Sequence, residues 1–443
     1  MILLANDWKK SARGLSLLTL EEIFDKEAYS NIVLNQQLKG SVMSQKDKNL
    51  ATELVYGTVA RKITLEWYLA HYIENREKVE PWVYYLLMLS FYQILYLDKI
   101  PAHAVVNDAV TIAKNRGNGR GAEKLVNAIL RKAFKEDLPD PKTIKRKNKR
   151  YSVLYSTPVW LVKKLSDQYD EERALAILES LFIRNKASIR VTNPAKLELI
   201  KNETGAEQSI LSPVGLVKPA GNFAATDFFI QGDIIIQDES SQLVAPTLDI
   251  KGTDRILDAC SAPGGKTVHM ASYLTSGHIT ALDLYDHKLD LVQTNATRLH
   301  LTDKISTQKL DATKAHETFS PDYFDKILVD APCSGIGLIR RKPDIKYRKE
   351  SQDFISLQTI QLEILSSVCQ TLRKDGIITY STCTIFDEEN FQVIQKFLEE
   401  HPNFEQVKLS HEQEDIVKDG CITISPEQYQ TDGFFIAQVK RVF

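Results

Sequence analysis

Two short stretches of this chain, DAPCSG (330–335) and YSTCTIF (380–386), each place a cysteine just past an apolar, β-rich run. A thiol in such a place can be a nucleophile, a metal ligand or a buried filler, and the residue alone leaves all three open. The five cysteines (260, 333, 369, 383 and 421) form no CxxC pair, which argues against zinc and against a disulfide framework and fits a reducing cytoplasm. The histidines show no ligand spacing either, so no metal is expected. A third stretch, DACSAPGGKT (258–267), sets two glycines at the entrance to a helix, where backbone amides can approach a ligand closely. A phosphate-binding loop would need glycine where Cys260 stands, and the dinucleotide fingerprint fails as well. The ligand of this loop is therefore smaller or less anionic than a nucleoside triphosphate.

Apolar runs alternate with helical periodicity from about residue 236: RILDA, HITALD, DKILVD and GIITYST are separated by stretches such as HKLDLVQTNATRLH. That alternation predicts a parallel sheet covered on both faces, whose ligands bind beyond the carboxyl ends of the strands. Asp258, Asp283, Asp311 and Asp330 fall at successive strand ends, followed by Cys383. A lone aspartate there is often a helix cap. Four in register suggest a ligand with a ribose hydroxyl pair and an amino-acid tail, which is S-adenosylmethionine. The terminal segments CITISP and GFFIAQVKRV read as an antiparallel pair.

The remaining chain must hold this sheet and bring it a substrate. A length of 443 residues implies two or three domains, with 43% apolar and 26% charged residues as in soluble globular chains. Residues 1–140 carry three- and four-residue apolar spacing and read as a helical bundle, with Pro101 opening one helix and GNGRG (117–121) a mobile loop between two others. Residues 141–235 mix helices with the short strands SIRVT and GDIIIQ, a small α+β module behind a basic linker. Residues 236–443 form the sheet domain. The uncharged run 81–97 is shorter than a spanning helix, and MILLANDWKKSAR lacks the order of a signal peptide, so a cytoplasmic protein without membrane contact is expected. Net charge is −2, yet residues 101–150 hold 13 Lys and Arg against 5 Asp and Glu, densest in PKTIKRKNKR (141–150). That segment is a solvated tether or a phosphate-binding strip.

Taken together, DACSAPGGKT, DAPCSGIG and YSTCTIFDEEN resemble the signature motifs of the RNA cytosine-C5 methyltransferases of the Sun family. FIQGDIIIQDESSQ (229–242) is similar to the segment leading into that family's catalytic domain. The helical N-terminal region (1–140), with AHAVVNDAV, looks like the NusB-like RNA-binding domain of its bacterial ribosomal RNA branch. The resemblance implies an all-α NusB-like bundle, a ferredoxin-like RNA-recognition module and a class I, Rossmann-like domain dependent on S-adenosylmethionine. It implies that the backbone of Cys260, Ser261, Ala262, Pro263, Gly264, Gly265 and Lys266 cradles the cofactor. Asp283 would serve its ribose, Asp311 lie near its adenine and Asp330 near the reaction centre. Cys383 would be the nucleophile, and Cys333 the helper at elimination.

The substrate implied is a cytosine of small-subunit (16S) ribosomal RNA, as naked RNA or an assembly intermediate, acted on by a monomer. Transfer RNA or another RNA, and an inactive RNA-binding assembly factor, are the alternatives. C5 of cytosine is too weak a nucleophile to take a methyl group until a thiolate adds to C6. Neutral Asp330 is the candidate acid at N3. Basic residues of RRKPDIKYRK (340–349) would hold phosphates beside the base. Cys369, Cys421, Tyr84 and Tyr85 read as packing residues. Ser261 stands where the family usually has alanine, and little consequence is expected.

Overall fold

A computed structural model describes residues 7–118 and 121–443. Gly119 and Arg120 of the GNGRG segment, and the first six residues of the N-terminal stretch, lie outside the described residues. The chain divides into two compact units, Met1–Ala174 with Lys342–Arg348, and Leu175–Arg341 with Lys349–Phe443.

The first unit is helical. Ser11 and Ser44 cap the helices Ala12–Asp25 and Gln45–Ala60, each hydroxyl accepting a backbone N–H of the first turn. Pro81 opens the central helix Pro81–Tyr96, and Pro101 precedes Ala102–Gly117. The uncharged run is this central helix, whose Leu87, Met88, Leu89 and Phe91 are fully buried against Leu17, Leu20, Leu54 and Val55. Each such side chain contributes about 1.5–3 kcal/mol by leaving water. No helix among the described residues is long and apolar enough to cross a membrane. Tyr84 is buried, and Tyr85 is half-buried with its hydroxyl donating to Asp25 at 2.6 Å.

The basic segment is folded into this unit. Asp140 caps a short turn at Pro141–Thr143, and the helix Lys147–Leu154 follows. Lys147 pairs with Glu171 at 2.6 Å, and Ser156 Oγ accepts the Ile63 N–H at 2.9 Å. The segment is thus no tether, although Lys142, Lys145, Arg146, Lys147 and Lys149 remain exposed.

The second unit contains two sheets. The smaller runs β1 (Ala187–Val191), a helix (Leu197–Thr204), β2 (Glu207–Gln208), β3 (Gly215–Lys218), a helical turn (Asp227–Ile230) and β4 (Ile234–Ile236). Its order is β2-β3-β1-β4 with every pairing antiparallel, the split βαβ arrangement expected of a ferredoxin-like module. It is part of the same compact unit as the larger sheet.

The larger sheet comprises β5 (Arg255–Asp258), β6 (His278–Asp283), β7 (Ile305–Lys309), β8 (Phe324–Asp330), β9 (Leu372–Thr382), β10 (Phe404–Val407), β11 (Val417–Lys418), β12 (Cys421–Ile424) and β13 (Phe434–Arg441). Its order is β11-β12-β13-β9-β8-β5-β6-β7, with β10 pairing to β13. β5 to β9 are mutually parallel, while β10 to β13 are antiparallel additions at one side. Alternate residues feed two cores: Leu257, Ile327 and Val329 pack on one face, and Ile256, Ile279 and Leu328 on the other. Burial of both faces is why these strands read as unbroken apolar runs.

The segment RRKPDIKYRK does not form the phosphate-holding strip expected of it. Arg341 lies within the second unit, pairing with Asp238 and with Asp432 (2.7 Å), and Arg340 donates to the Thr431 carbonyl. Residues 342–348 belong to the helical unit, where Lys346 Nζ donates to the Ala60 carbonyl at 2.8 Å and Arg348 to the carbonyls of Glu27 and Ala28. Buried Asp344 and Asp432, half-buried Asp238 and these carbonyls require cationic or polar partners, and Arg340, Arg341, Lys346 and Arg348 are committed to them.

Candidate active site

The strand order reverses between β5 and β8: the chain moves outward through β6 and β7, then returns to the other side of β5. A crevice beyond the carboxyl ends of these strands is the binding place such a reversal creates. Asp258, Asp283 and Asp330 are the last residues of β5, β6 and β8. Asp311 lies just beyond β7, and Cys383 directly follows β9. All five expected groups therefore line one edge of the sheet.

The loop after β5 is shaped by its small residues. Gly264 has φ +97°, and a Cβ there would come within 2.9 Å of Val292 Cα, so the position requires glycine. At Gly265 a Cβ would meet only Gln237 Nε2, at 3.9 Å, so the backbone there faces open space. That space suits a ligand pressed against the loop's amides, and the site fits a group with an amino-acid tail. Ser261 is not the neutral replacement expected of it. Its N–H and its hydroxyl both donate to the Leu282 carbonyl at 2.9 Å, tying the loop to β6 where alanine would supply one bond. Asp283 accepts the Tyr285 N–H at 3.3 Å and lies 3.6 Å from Lys288 Nζ. Asp311 Oδ1 caps the following turn through the Thr313 N–H at 3.0 Å.

Asp258 is buried and accepts the Thr267 hydroxyl at 2.7 Å on Oδ2, while Oδ1 has no hydrogen-bond partner. Burial pushes its carboxyl up to about 7, with the Asp330 charge adding to the rise and Thr267, Lys266 and the Cys260 N–H opposing it. The folded chain then keeps a proton that the unfolded chain releases near 3.8. Stability should fall as pH rises from about 4 to about 7, by up to about 1.4 kcal/mol per pH unit. Asp258→Asn should remove that slope, read as melting temperature against pH; a variant with an undiminished slope would assign the titration to another group.

The two thiols meet above the switch point. Cys333 Sγ and Cys383 Sγ are 3.2 Å apart, unbonded, and both residues are half-buried rather than sealed in a core. Beside them Lys266 Nζ donates to Asp330 Oδ2 at 2.7 Å, and Ser381 Oγ to Asp330 Oδ1 at 2.8 Å. Asp330 thus accepts on both oxygens, one from Lys266 and one from Ser381. Strand periodicity could not reveal that the lysine of the glycine loop folds back onto the end of β8. Burial raises the Cys260 thiol far above its ordinary value, and the Cys369 and Cys421 thiols to about 12, which leaves all three inert.

Three groups here escaped sequence reasoning. Glu389, Gln361 and Asn390 are buried polar residues that brace the two cysteine loops. Thr382 Oγ1 donates to Asn390 Oδ1 at 2.6 Å, and Asn390 Nδ2 to the Thr384 carbonyl at 3.2 Å, fixing the turn around Cys383. The acidic run FDEEN was the only signal, and it reads equally as the acidic start of the helix Phe391–Glu400. A further contact locks the turns: Gly337 N donates to the Cys383 carbonyl at 3.0 Å, and a Cβ on Gly337 would strike Gly433 O at 2.1 Å.

Sheet order, glycine loop and strand-end carboxylates define a Rossmann-like, class I methyltransferase that carries a thiol pair. The family described as 16S rRNA methyltransferase RsmB/F matches residues 245–440, and the NusB family matches residues 10–135. The chain is 42% identical over 446 residues to the probable ribosomal RNA small subunit methyltransferase B of Bacillus subtilis, covering 98% of this chain and 99% of that one. It is 30% identical to the ribosomal RNA small subunit methyltransferase B of Proteus mirabilis, over 97% of this chain and 98% of that one. One solved structure matches along 100% of both chains with a TM-score of 0.82 at 24% identity, a likeness of fold. The chain belongs to the RsmB/F family of 16S rRNA methyltransferases, with a NusB domain at its N-terminal end.

Proposed function

We propose that this protein methylates C5 of a cytosine in small-subunit ribosomal RNA, through a covalent bond between Cys383 and C6 of the base, with S-adenosylmethionine as donor. The observation that carries this reading is the pair of half-buried thiols 3.2 Å apart beside the Lys266–Asp330 ion pair. The names of its relatives supply the RNA.

The donor would lie against the backbone of residues 260–266, with Asp283 and Asp311 at its nucleoside end and Asp330 toward the reaction. When bound it supplies an electrophilic methyl group on a sulfonium. Every other step falls to the chain. The Cys383 thiolate adds to C6; Lys266, held by Asp330, delivers a proton toward N3 and so takes up the charge of addition. C5 becomes electron-rich and ends bearing both its hydrogen and the new methyl group.

Elimination then needs a base at C5. The Cys333 thiol is raised well above its ordinary value, first by its hydrogen bond to Cys383, then by burial and by the charges of Cys383 and Glu389. Once the Cys383 sulfur is bonded to carbon, its hydrogen bond and charge no longer raise the Cys333 thiol, which then gives up its proton to solvent more readily, against the burial and the Glu389 charge that remain. The Cys333 thiolate takes the C5 proton, the C–S bond breaks so that Cys383 recovers its electron pair, and N3 returns its proton to the Lys266 amine. Attack thus prepares the base for release.

Transfer of labelled methyl from S-adenosylmethionine to small-subunit ribosomal RNA, followed by bisulfite sequencing, tests the reading. A single protected cytosine is the expected result. Label on transfer RNA alone, or at a position other than C5, would overturn it.

A further inference from the structure

Both thiols sit on loops rather than on strands, so their separation depends on what braces the loops. Glu389 is fully buried, and its side chain spans them. Oε1 accepts the backbone N–H of Ser334 at 2.7 Å, and Oε2 accepts the Ser334 hydroxyl at 2.6 Å. Ser334 is the residue after Cys333. Gln361 Nε2 donates to Glu389 Oε1 at 3.3 Å and to the Pro332 carbonyl at 2.9 Å, so the residues on either side of Cys333 lead to one carboxylate. On the side of Cys383, the Glu389 carbonyl accepts the Tyr380 hydroxyl at 2.6 Å, and the Ser334 and Thr384 hydroxyls are 2.9 Å apart. Burial pushes the Glu389 carboxyl up while its bonds from Ser334, Thr384 and Gln361 pull it down. A buried carboxylate costs stability unless fully bonded, so a site that keeps one uses its geometry.

We propose that Glu389 is a positioning residue for elimination: acting through Ser334, it holds Cys333 where its sulfur can take the C5 proton. This rests on the cysteine roles proposed above. Cys383 has independent supports in β9, in Asn390 through Thr382, and in the Gly337 N–H. Loss of the carboxylate should therefore slow release more than attack.

The test uses the full chain with small-subunit ribosomal RNA and S-adenosylmethionine, and reads the denaturation-resistant protein–RNA band over time. Glu389→Ala should form the band near the wild-type rate and resolve it about 100-fold more slowly, the cost of a displacement near 1 Å. Glu389→Gln keeps an acceptor for the Ser334 N–H and should restore release. Adding Glu389→Ala to Cys333→Ala should not deepen the release defect, because the group it positions is gone. Equal losses in band formation and turnover, with no accumulation, would reduce Glu389 to a fold residue and end the proposal.

If Glu389→Ala fails to fold, Ser334→Ala carries the test. It removes the Oε2 bond and the Thr384 contact but keeps the N–H bond to Oε1, and should accumulate the band to a smaller extent; wild-type release would overturn the proposal. Failure of Cys333→Ala itself to trap RNA would sink the cysteine assignment beneath it. Trapping by Cys333→Ala together with normal release by Glu389→Ala would remove Glu389 only.

Discussion

Cys333→Ala should turn the protein into a covalent trap for its RNA. Cys383 remains to attack C6 and methyl transfer proceeds, but no thiolate stands 3.2 Å away to take the C5 proton. The methylated base stays bonded to Cys383, and turnover stops after one event. Denaturing electrophoresis after incubation with RNA and cofactor should show a slow protein–RNA band. Cys383→Ala, and the double variant, should show none and transfer no methyl group, since the nucleophile is missing. The reverse pattern, with Cys383→Ala trapping RNA, would exchange the two roles.

Lys266→Met and Asp330→Asn should each cut the rate of adduct formation by about 10²–10⁴, the usual contribution of a positioned acid–base group. The two side chains share a 2.7 Å ion pair, and Ser381 fixes the carboxylate from the other side. Removal of the ammonium leaves nothing to deliver a proton toward N3. Removal of the carboxylate charge leaves Lys266 unaimed. Because they act as one unit, the double variant should be little worse than either single one. In the Cys333→Ala background the effect is direct: the trapped band should fail to appear on the time scale of the parent. A band that forms at an undiminished rate in Lys266→Met would place the acid elsewhere. Calorimetric cofactor binding should survive Lys266→Met, since the loop's contribution there is its backbone.

The class I domain was legible because strands buried on both faces carry apolar runs, and in β5, β6 and β8 the run ends on an aspartate. Asp258, Asp283 and Asp330 mark those ends, and each proved to be the last residue of its strand. The terminal antiparallel pair was legible for the same reason. The short strands β2, β3 and β10 were not, since two to four residues carry no periodicity. The basic runs misled. Local charge says how much positive charge a segment has, and nothing about which carboxylate or carbonyl it will meet. Arg341 met Asp238 and Asp432 across sequence separations of 103 and 91 residues, and Lys346 met the Ala60 carbonyl across 286.

The sequence by itself determined the chemistry available: two thiols, four strand-end carboxylates and a glycine loop, set in an order that only a parallel sheet brings to one edge. It did so because residue type and strand register are local properties of a covalent chain. The tertiary structure alone decided how those groups are paired. It placed Lys266 on Asp330, and it put a buried carboxylate, Glu389, behind the loop of Cys333. It also made Ser261 a tie rather than a spacer. Such pairings depend on which distant segments fill the space beside a group. Packing of the whole unit sets that, and no window of the sequence contains it.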